Sequence, residues 1–316
     1  MNKLLVILGP TSTGKTDMAL NLAKKFNGEL ISADSRQVYK GLDLGTGKLP
    51  GKSVKVEKGE GYWIIDGVKV WLYDVVSPAK QYTVFNFVKD AEVAIDQIKS
   101  HGKLPIIVGG TNFYIRGLLE GIPSLGIPMN EDIRKRFENL SVIELQNQLQ
   151  KLDMKRWNLM NTSDRQNPRR LIRAIELALF GVKKIKKEVK KFDVFKIGLI
   201  ADKEILYKRS DKRVVSRINK GMIEETIKLN KNGLNLERMK QLGLEYGVLA
   251  DYLENKIKSK KDLVKIMQLK IHGYIRRQLT WIKKEKNINW FDITNKKIDT
   301  EVENLVSKWY HQSNAS

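Results

Sequence analysis

The chain has 316 residues, 41% of them hydrophobic, with 58 Lys and Arg against 36 Asp and Glu and a formal net charge of +22. That length holds one large domain or two unequal ones, and that apolar share excludes general disorder. The lack of cysteine excludes disulfides, thiol catalysis and cysteine zinc sites and fits a reducing cytosol.

The charge leaves two readings open: a polyanionic partner, most often nucleic acid, or a lysine-rich surface in which runs such as Lys183-Lys184 and Lys186-Lys187 are merely solvated. Leu4 to Leu8 is a continuous apolar run closed by Gly9-Pro10, which predicts a strand buried on both faces rather than a signal peptide. No apolar stretch approaches the roughly 18–20 residues of a membrane helix, so no membrane association is expected. A helix is expected over Thr16 to Lys25, a strand over Glu29 to Ala33, and an exposed loop or hairpin over 48–69, which is rich in Gly and Lys. Val70 to Val76 reads as a strand, Phe85 to Ser100 as a helix, and Pro105 to Val108 as a strand cut off by Gly109-Gly110.

From Pro123 to Phe192 the pattern turns helical and polar, with Asn167-Pro168 shaped as an N-cap followed by Pro at the first helical position. Phe195 to Ile200 returns to strand, and the remainder is mostly helical, including an amphipathic segment from Lys261 to Glu285. Strands alternating with helices imply an α/β fold: a parallel sheet of the P-loop NTPase type, flanked by helices and carrying a helical insertion domain. The expected division is a core of 1–122 and 194–316 around an insertion of 123–193.

Gly9-Pro10-Thr11-Ser12-Thr13-Gly14-Lys15-Thr16 fits the G-x-x-x-x-G-K-[ST] pattern, with an apolar strand before it and a helix after it. Backbone N–H groups of such a loop, with the helix N-terminus, point at phosphate oxygens; Lys15 adds a charge, and Thr16 can hold magnesium. The motif specifies phosphate without saying which one. Asp34 follows the second strand, at the sheet edge where ligands bind. It can take a proton from a nucleophile, bind magnesium through water, or simply cap the next turn. Gly109-Gly110-Thr111 closes another strand at that edge, where two glycines admit a ligand and Thr111 offers a hydroxyl; a plain tight turn accounts for it equally.

Taken together, GPTSTGKT at 9–16, ADSRQVYKGLDLGTGK at 33–48, DVVSPAKQYTVFNF at 74–87, GGTNFYIRGLLEG at 109–121, NPRRLIRAIE at 167–176 and RRQLTWIKKEKNINWFD at 276–292 resemble the tRNA dimethylallyltransferase (tRNA isopentenyltransferase) family, in family order and over most of the chain. The resemblance implies transfer of a dimethylallyl group from dimethylallyl diphosphate to the exocyclic amine of the adenosine next to the anticodon, position 37. The tRNAs would be those reading codons that start with U, and diphosphate would be released.

The resemblance also implies roles. The loop, Lys15 and a Thr16-held Mg²⁺ would stabilise the leaving diphosphate, with Arg209 and Arg213 completing the clamp. Asp34 would be the base, and Thr111 would line the reaction channel. Asp34, Ser35, Arg36 and Gln37 would contact the target nucleotide, drawn from the anticodon loop into a pocket. Arg134 and the segment Arg169, Arg170, Leu171, Ile172 and Arg173 would grip the anticodon stem-loop. Arg276, Arg277, Gln278, Thr280 and Trp281 would form a further tRNA contact, although Trp281 sits beside an apolar stripe and can equally be core.

The family's Gly-Tyr pair before the last helices is matched only by Gly243 and Tyr246. Its paired histidines are replaced by a stretch with Trp63 and Trp71, and none of the three histidines is assigned a catalytic role. The family further implies a cytoplasmic monomer. Competing readings are a P-loop small-molecule or nucleotide kinase, which leaves the Arg-rich insertion unexplained; an adenylate isopentenyltransferase, which needs no gripping domain; and an RNA-binding module with an inactive loop, against which Gly14, Lys15, Thr16 and Asp34 all speak.

Overall fold

A computed structural model of the chain describes residues 2–49, 54–122, 124–127, 129–181 and 191–312. The lysine pairs at 183–187 and the expected boundary at Pro123 lie outside them. Contacts divide the chain into two compact units, one of Met1–Leu119 with Lys190–Ser316 and one of Glu120–Val189.

The first unit opens with β1 (Lys3–Leu8), α1 (Lys15–Lys25) and β2 (Gly28–Ser32). After these come β3 (Val56–Lys58), β4 (Tyr62–Ile65), β5 (Val68–Trp71), α2 (Val84–Ser100), β6 (Leu104–Gly109) and α3 (Asn112–Leu119). The second unit is helical: α4 (Glu131–Phe137), α5 (Val142–Leu152), α6 (Met154–Leu159), α7 (Thr162–Arg165) and α8 (Pro168–Leu179). The chain then returns to the first unit with β7 (Asp193–Ile200), α9 (Lys203–Asn219), α10 (Met222–Lys231), α11 (Leu236–Leu242), α12 (Leu244–Leu253), α13 (Lys260–Ile282), β8 (Asn289–Asp292) and α14 (Ile298–His311).

One eight-stranded sheet runs β3-β4-β5-β2-β6-β1-β7-β8. From β5 to β8 every pairing is parallel, and β1 and β6 are buried along their whole length, as strands covered on both faces must be. The expectation of a parallel sheet needs one correction: β3 and β4 form an antiparallel edge. Within the described part of 48–69, Trp63 and Lys48 are buried where the Gly and Lys content suggests exposure. The strand expected over 70–76 stops at Trp71, because Leu72 and Asp74 take left-handed φ values of 66° and 56°. Those turns aim the Asp74 carboxylate at the Lys48 ammonium (2.5 Å) and the Trp63 indole N–H (2.6 Å). β8 was not expected at all.

Parallel register sets the functional edge. Leu8 pairs with Gly109 and Ser32 with Val108, so the segments after β1, β2 and β6 leave the sheet side by side. One core, with α1 and α14, covers one part of the sheet; a second gathers α9, α12 and α13 around Val38, Tyr39 and Leu42. The helical unit has its own core of Phe137, Leu145, Leu149, Leu171, Ala174 and Ile175. Among the described residues no helix is long and apolar enough to cross a membrane.

Candidate active site

The phosphate loop is built from inside. Gly9 has φ +151°, and a Cβ there would collide with the Leu199 carbonyl of β7, so only glycine lets the chain turn this close to the sheet. Thr13 is buried and its hydroxyl donates to the Pro10 carbonyl (2.9 Å), so it braces the loop and its hydroxyl is not offered to a phosphate. Gly14, in the left-handed region, caps α1 without a side-chain bond to the helix N-terminus. The first N–H groups of the helix thereby open onto a ligand site, as anion binding requires.

That site is a cavity of about 500 Å³ lying wholly within the sheet-containing unit. Thr11, Ser12, Gly14, Lys15 and Thr16 line it, facing the 34–37 and 44–49 segments, Gly109-Gly110, and side chains of α9 and α13. Among the described residues eight basic side chains line it against three acidic ones, Asp17, Asp34 and Glu245. The Lys15 ammonium donates to the Pro10 carbonyl at 2.7 Å. Burial and the Arg213 charge push its pKa down to about 7, against the opposing pull of Asp34. Arg213 donates to the Ser12 hydroxyl (3.3 Å), and burial together with Arg217 lowers its pKa to about 10. Arg209 lines the same wall beside Gly14. The cavity also has an apolar side, with Val214, Leu244 and Ile271 contributing to its lining.

Asp34 Oδ1 accepts from the Arg36 N–H at 2.8 Å, closing a local turn, while the carboxylate lines the cavity. The capping reading and the reactive reading of Asp34 therefore describe the same placement. Thr111 lies one step behind: its hydroxyl accepts from the Ser35 N–H (3.1 Å) and its own N–H donates to the Ala33 carbonyl (3.1 Å). It ties the turn after β6 to the segment after β2. Ser32 donates to Gln37, whose amide reaches the Thr46 carbonyl at 3.4 Å.

Three expected RNA-contact side chains sit elsewhere than an open surface. Gln278 is buried and strung between the loop after β1 and the turn after β6, accepting from the Thr11 N–H (2.9 Å) and donating to the Gly110 carbonyl (3.2 Å). Tyr246 is buried, and its hydroxyl donates to Glu225 (2.7 Å). Leu171 is wholly core in the helical unit. Apolar or hydrogen-bonded burial, not exposure, fixes each of these three.

Gly243 starts α12 with φ +72°. Arg276, Arg277 and Thr280 are exposed on α13, and Trp281 is half-buried under the Arg116 guanidinium. In the helical unit Arg169 and Arg170 are exposed, with Arg170 paired to Asp164, and Ile172 is half-buried. Arg134 and Arg173 converge on the fully buried Glu176. Burial opposes ionisation of Glu176, but hydrogen bonds from Arg134, Arg173 and the Asn130 N–H outweigh it and lower its pKa.

The sequence reading missed Arg217, Glu245 and Glu225. Arg217 lies four residues beyond Arg213, a spacing that carried the signal. Glu245 is largely buried, which raises its pKa against the pull of Arg217. Glu225 accepts from three consecutive backbone N–H groups, of Asp43 (3.1 Å), Leu44 (2.8 Å) and Gly45 (3.3 Å), and so fixes the loop that walls the cavity.

A family model described as IPP transferase matches residues 37–285. A tRNA dimethylallyltransferase 2 of Treponema denticola is 41% identical over 298 residues, covering 90% of this chain and 94% of that one. A tRNA dimethylallyltransferase of Streptococcus agalactiae is 35% identical over 309 residues, covering 96% and 97%. The crystal structure of a tRNA isopentenylpyrophosphate transferase from Bacillus halodurans superposes with a TM-score of 0.70 at 31% identity, covering 99% of this chain and all of that one. A eukaryotic dimethylallyltransferase, at 24% identity and a TM-score of 0.80, shares the fold.

Proposed function

The chain belongs to the IPP transferase family, and we propose that it moves a dimethylallyl group from dimethylallyl diphosphate to the exocyclic amine of adenosine 37, beside the anticodon, in tRNAs reading codons that start with U. One observation carries this reading: a single cavity offers a phosphate-binding loop, an apolar wall and a carboxylate. A prenyl diphosphate and an amine that must lose a proton need all three.

The diphosphate lies on the N–H groups of the loop and the first turn of α1, with Lys15, Arg209 and Arg213 around it. The five-carbon chain lies against Val214, Leu244 and Ile271. The bond between C1 and the bridging oxygen breaks, the bond from C1 to the adenine nitrogen forms, and the proton leaves that nitrogen for Asp34. Charge grows on the departing diphosphate, so preorganised donors aimed there supply most of the stabilisation. Thr111 holds the Ser35 N–H and thereby sets the geometry of the Asp34 turn. Arg36 Nε, buried and without a hydrogen-bond partner among the described residues, suits an acceptor on the incoming nucleotide.

Thr16, Asp17 and Asp34 bring hard oxygen donors to the cavity, a set that fits Mg²⁺ held chiefly by substrate phosphates and water. When bound, the ion supplies positive charge to the leaving group. The exposed Arg169, Arg170, Arg276 and Arg277, with Arg134, supply cations for the phosphates of an anticodon stem-loop. The protein acts in the cytoplasm as a monomer.

Incubation with labelled dimethylallyl diphosphate and unmodified tRNA, or with ATP and AMP, tests the assignment. Label on tRNA supports it. Label on AMP alone, or phosphoryl transfer without prenyl transfer, refutes it.

A further inference from the structure

Arg209, Arg213 and Arg217 recur every fourth residue on α9, and all three line the cavity. The first two account for a phosphate clamp at the loop. The third is placed with as much care: Arg217 Nη1 donates to the Gly45 carbonyl at 3.1 Å and lies 3.5 Å from Glu245 Oε1, with both side chains about 15% exposed. Gly45 is itself held by Glu225, so Arg217 rests on a fixed wall.

Gly47 shows how close the neighbouring arginines come. Its φ is +69°, and a Cβ there would meet the Nη2 atoms of both Arg217 and Arg213. The two guanidinium groups therefore stand side by side over a residue that has no side chain to separate them. Their mutual repulsion contributes to the lowered Arg213 pKa. Two like charges side by side, with one long contact from Arg217 to Glu245, form an arrangement that a polyanion relieves. Arg213 already reaches Ser12 of the phosphate loop, so an anion extending from the loop past Arg213 arrives at Arg217.

Resting on the donor-site reading, we propose that Arg217 is a third arginine of the clamp, reading the second phosphate, so that the site selects a diphosphate over a monophosphate. Glu245 is its resident counter-ion.

Calorimetric titration with inorganic diphosphate and with orthophosphate tests this on the wild type, Arg217→Met and Arg217→Lys, alongside tRNA binding and melting temperature. The expected result for Arg217→Met is a diphosphate Kd raised about 10- to 100-fold, the worth of one hydrogen bond to a charged group. Orthophosphate affinity changes less than about twofold, Arg217→Lys recovers part of the loss, and in turnover the KM for the donor rises and kcat falls with it, because the departing diphosphate loses a donor as its charge grows. A well-folded Arg217→Met protein with unchanged diphosphate affinity would overturn the proposal, reducing Arg217 to a strut for Gly45. Loss of tRNA affinity alone would overturn it in favour of an RNA backbone contact. Failure of the wild type to bind diphosphate would refute the donor site itself, a distinct result.

Discussion

On the proposed donor site, binding is expected to be proton-linked through Lys15. Burial and Arg213 push its pKa down to about 7 from 10.5, so a neutral Lys15 is expected to be well populated near pH 7. A diphosphate on the loop returns the opposite charge and restores the ammonium. Binding therefore takes up a proton wherever pH lies above the free value and below the bound one. Affinity is full below pH 7 and falls as pH rises, by up to tenfold per unit. The prenyl diphosphate itself is the ligand to titrate, because a diphosphate ester completes its last ionisation near pKa 6 whereas inorganic diphosphate still holds a proton in this range; Arg213 at about 10 stays largely charged. From pH 7 to pH 9 the Kd of the prenyl diphosphate is expected to rise roughly 50-fold. At pH 8 calorimetry in buffers of different ionisation enthalpy should report uptake of close to one proton. A Kd flat from pH 7 to 9, with no buffer-dependent heat, would refute the reasoning and mean that Lys15 is charged throughout.

Asp34→Asn keeps an acceptor for the Arg36 N–H but removes the base; transfer should slow roughly 10²–10⁴-fold while tRNA binding, measured by filter retention, persists. Gln278→Ala frees the Thr11 N–H and the Gly110 carbonyl, a loss of about 1–3 kcal/mol, and should raise the donor KM more than it lowers Tm. Glu176→Ala strands two arginines on the helical unit and should destabilise that unit by about 3–5 kcal/mol in thermal unfolding. Because the folded Glu176 pKa is lowered from 4.5, its stabilisation is present above that pH and is lost as pH falls below it. The variant should accordingly show a smaller acid destabilisation than the wild type.

The central strands were legible because burial on both faces leaves an unbroken apolar run, as in Leu4 to Leu8. Wherever structure rests on long-range polar pairing, that signal disappears. β8 is four residues with Trp and Phe between Asn and Asp, and only pairing with β7 makes it a strand. Trp63 and Lys48 lie in a stretch whose glycines and lysines suggest solvent. They are buried because Asp74, 26 residues beyond Lys48, reaches both the ammonium and the indole. Nothing local announces that pairing.

The candidate site divides along the same physical line. The phosphate-loop motif is contiguous and the role proposed for it rests on backbone N–H groups, so its spacing is legible in the sequence. Gln278, Glu225, Arg217 and Glu245 act on segments up to 267 residues distant, and a single sequence records their identity without their address. Net charge pointed to a polyanionic partner without placing any arginine; the structure gathers three of them on one face of α9 and seats carboxylates beside others. A basic protein with buried or half-buried acids such as Glu176, Glu225 and Glu245 is using its carboxylates to aim cations and backbone N–H groups. It follows that removing one of these acids should alter substrate affinity through geometry, in a direction that net charge alone would predict wrongly. Neutralising Glu225, for instance, makes the cavity more positive, yet it releases the Gly45 wall and should weaken diphosphate binding.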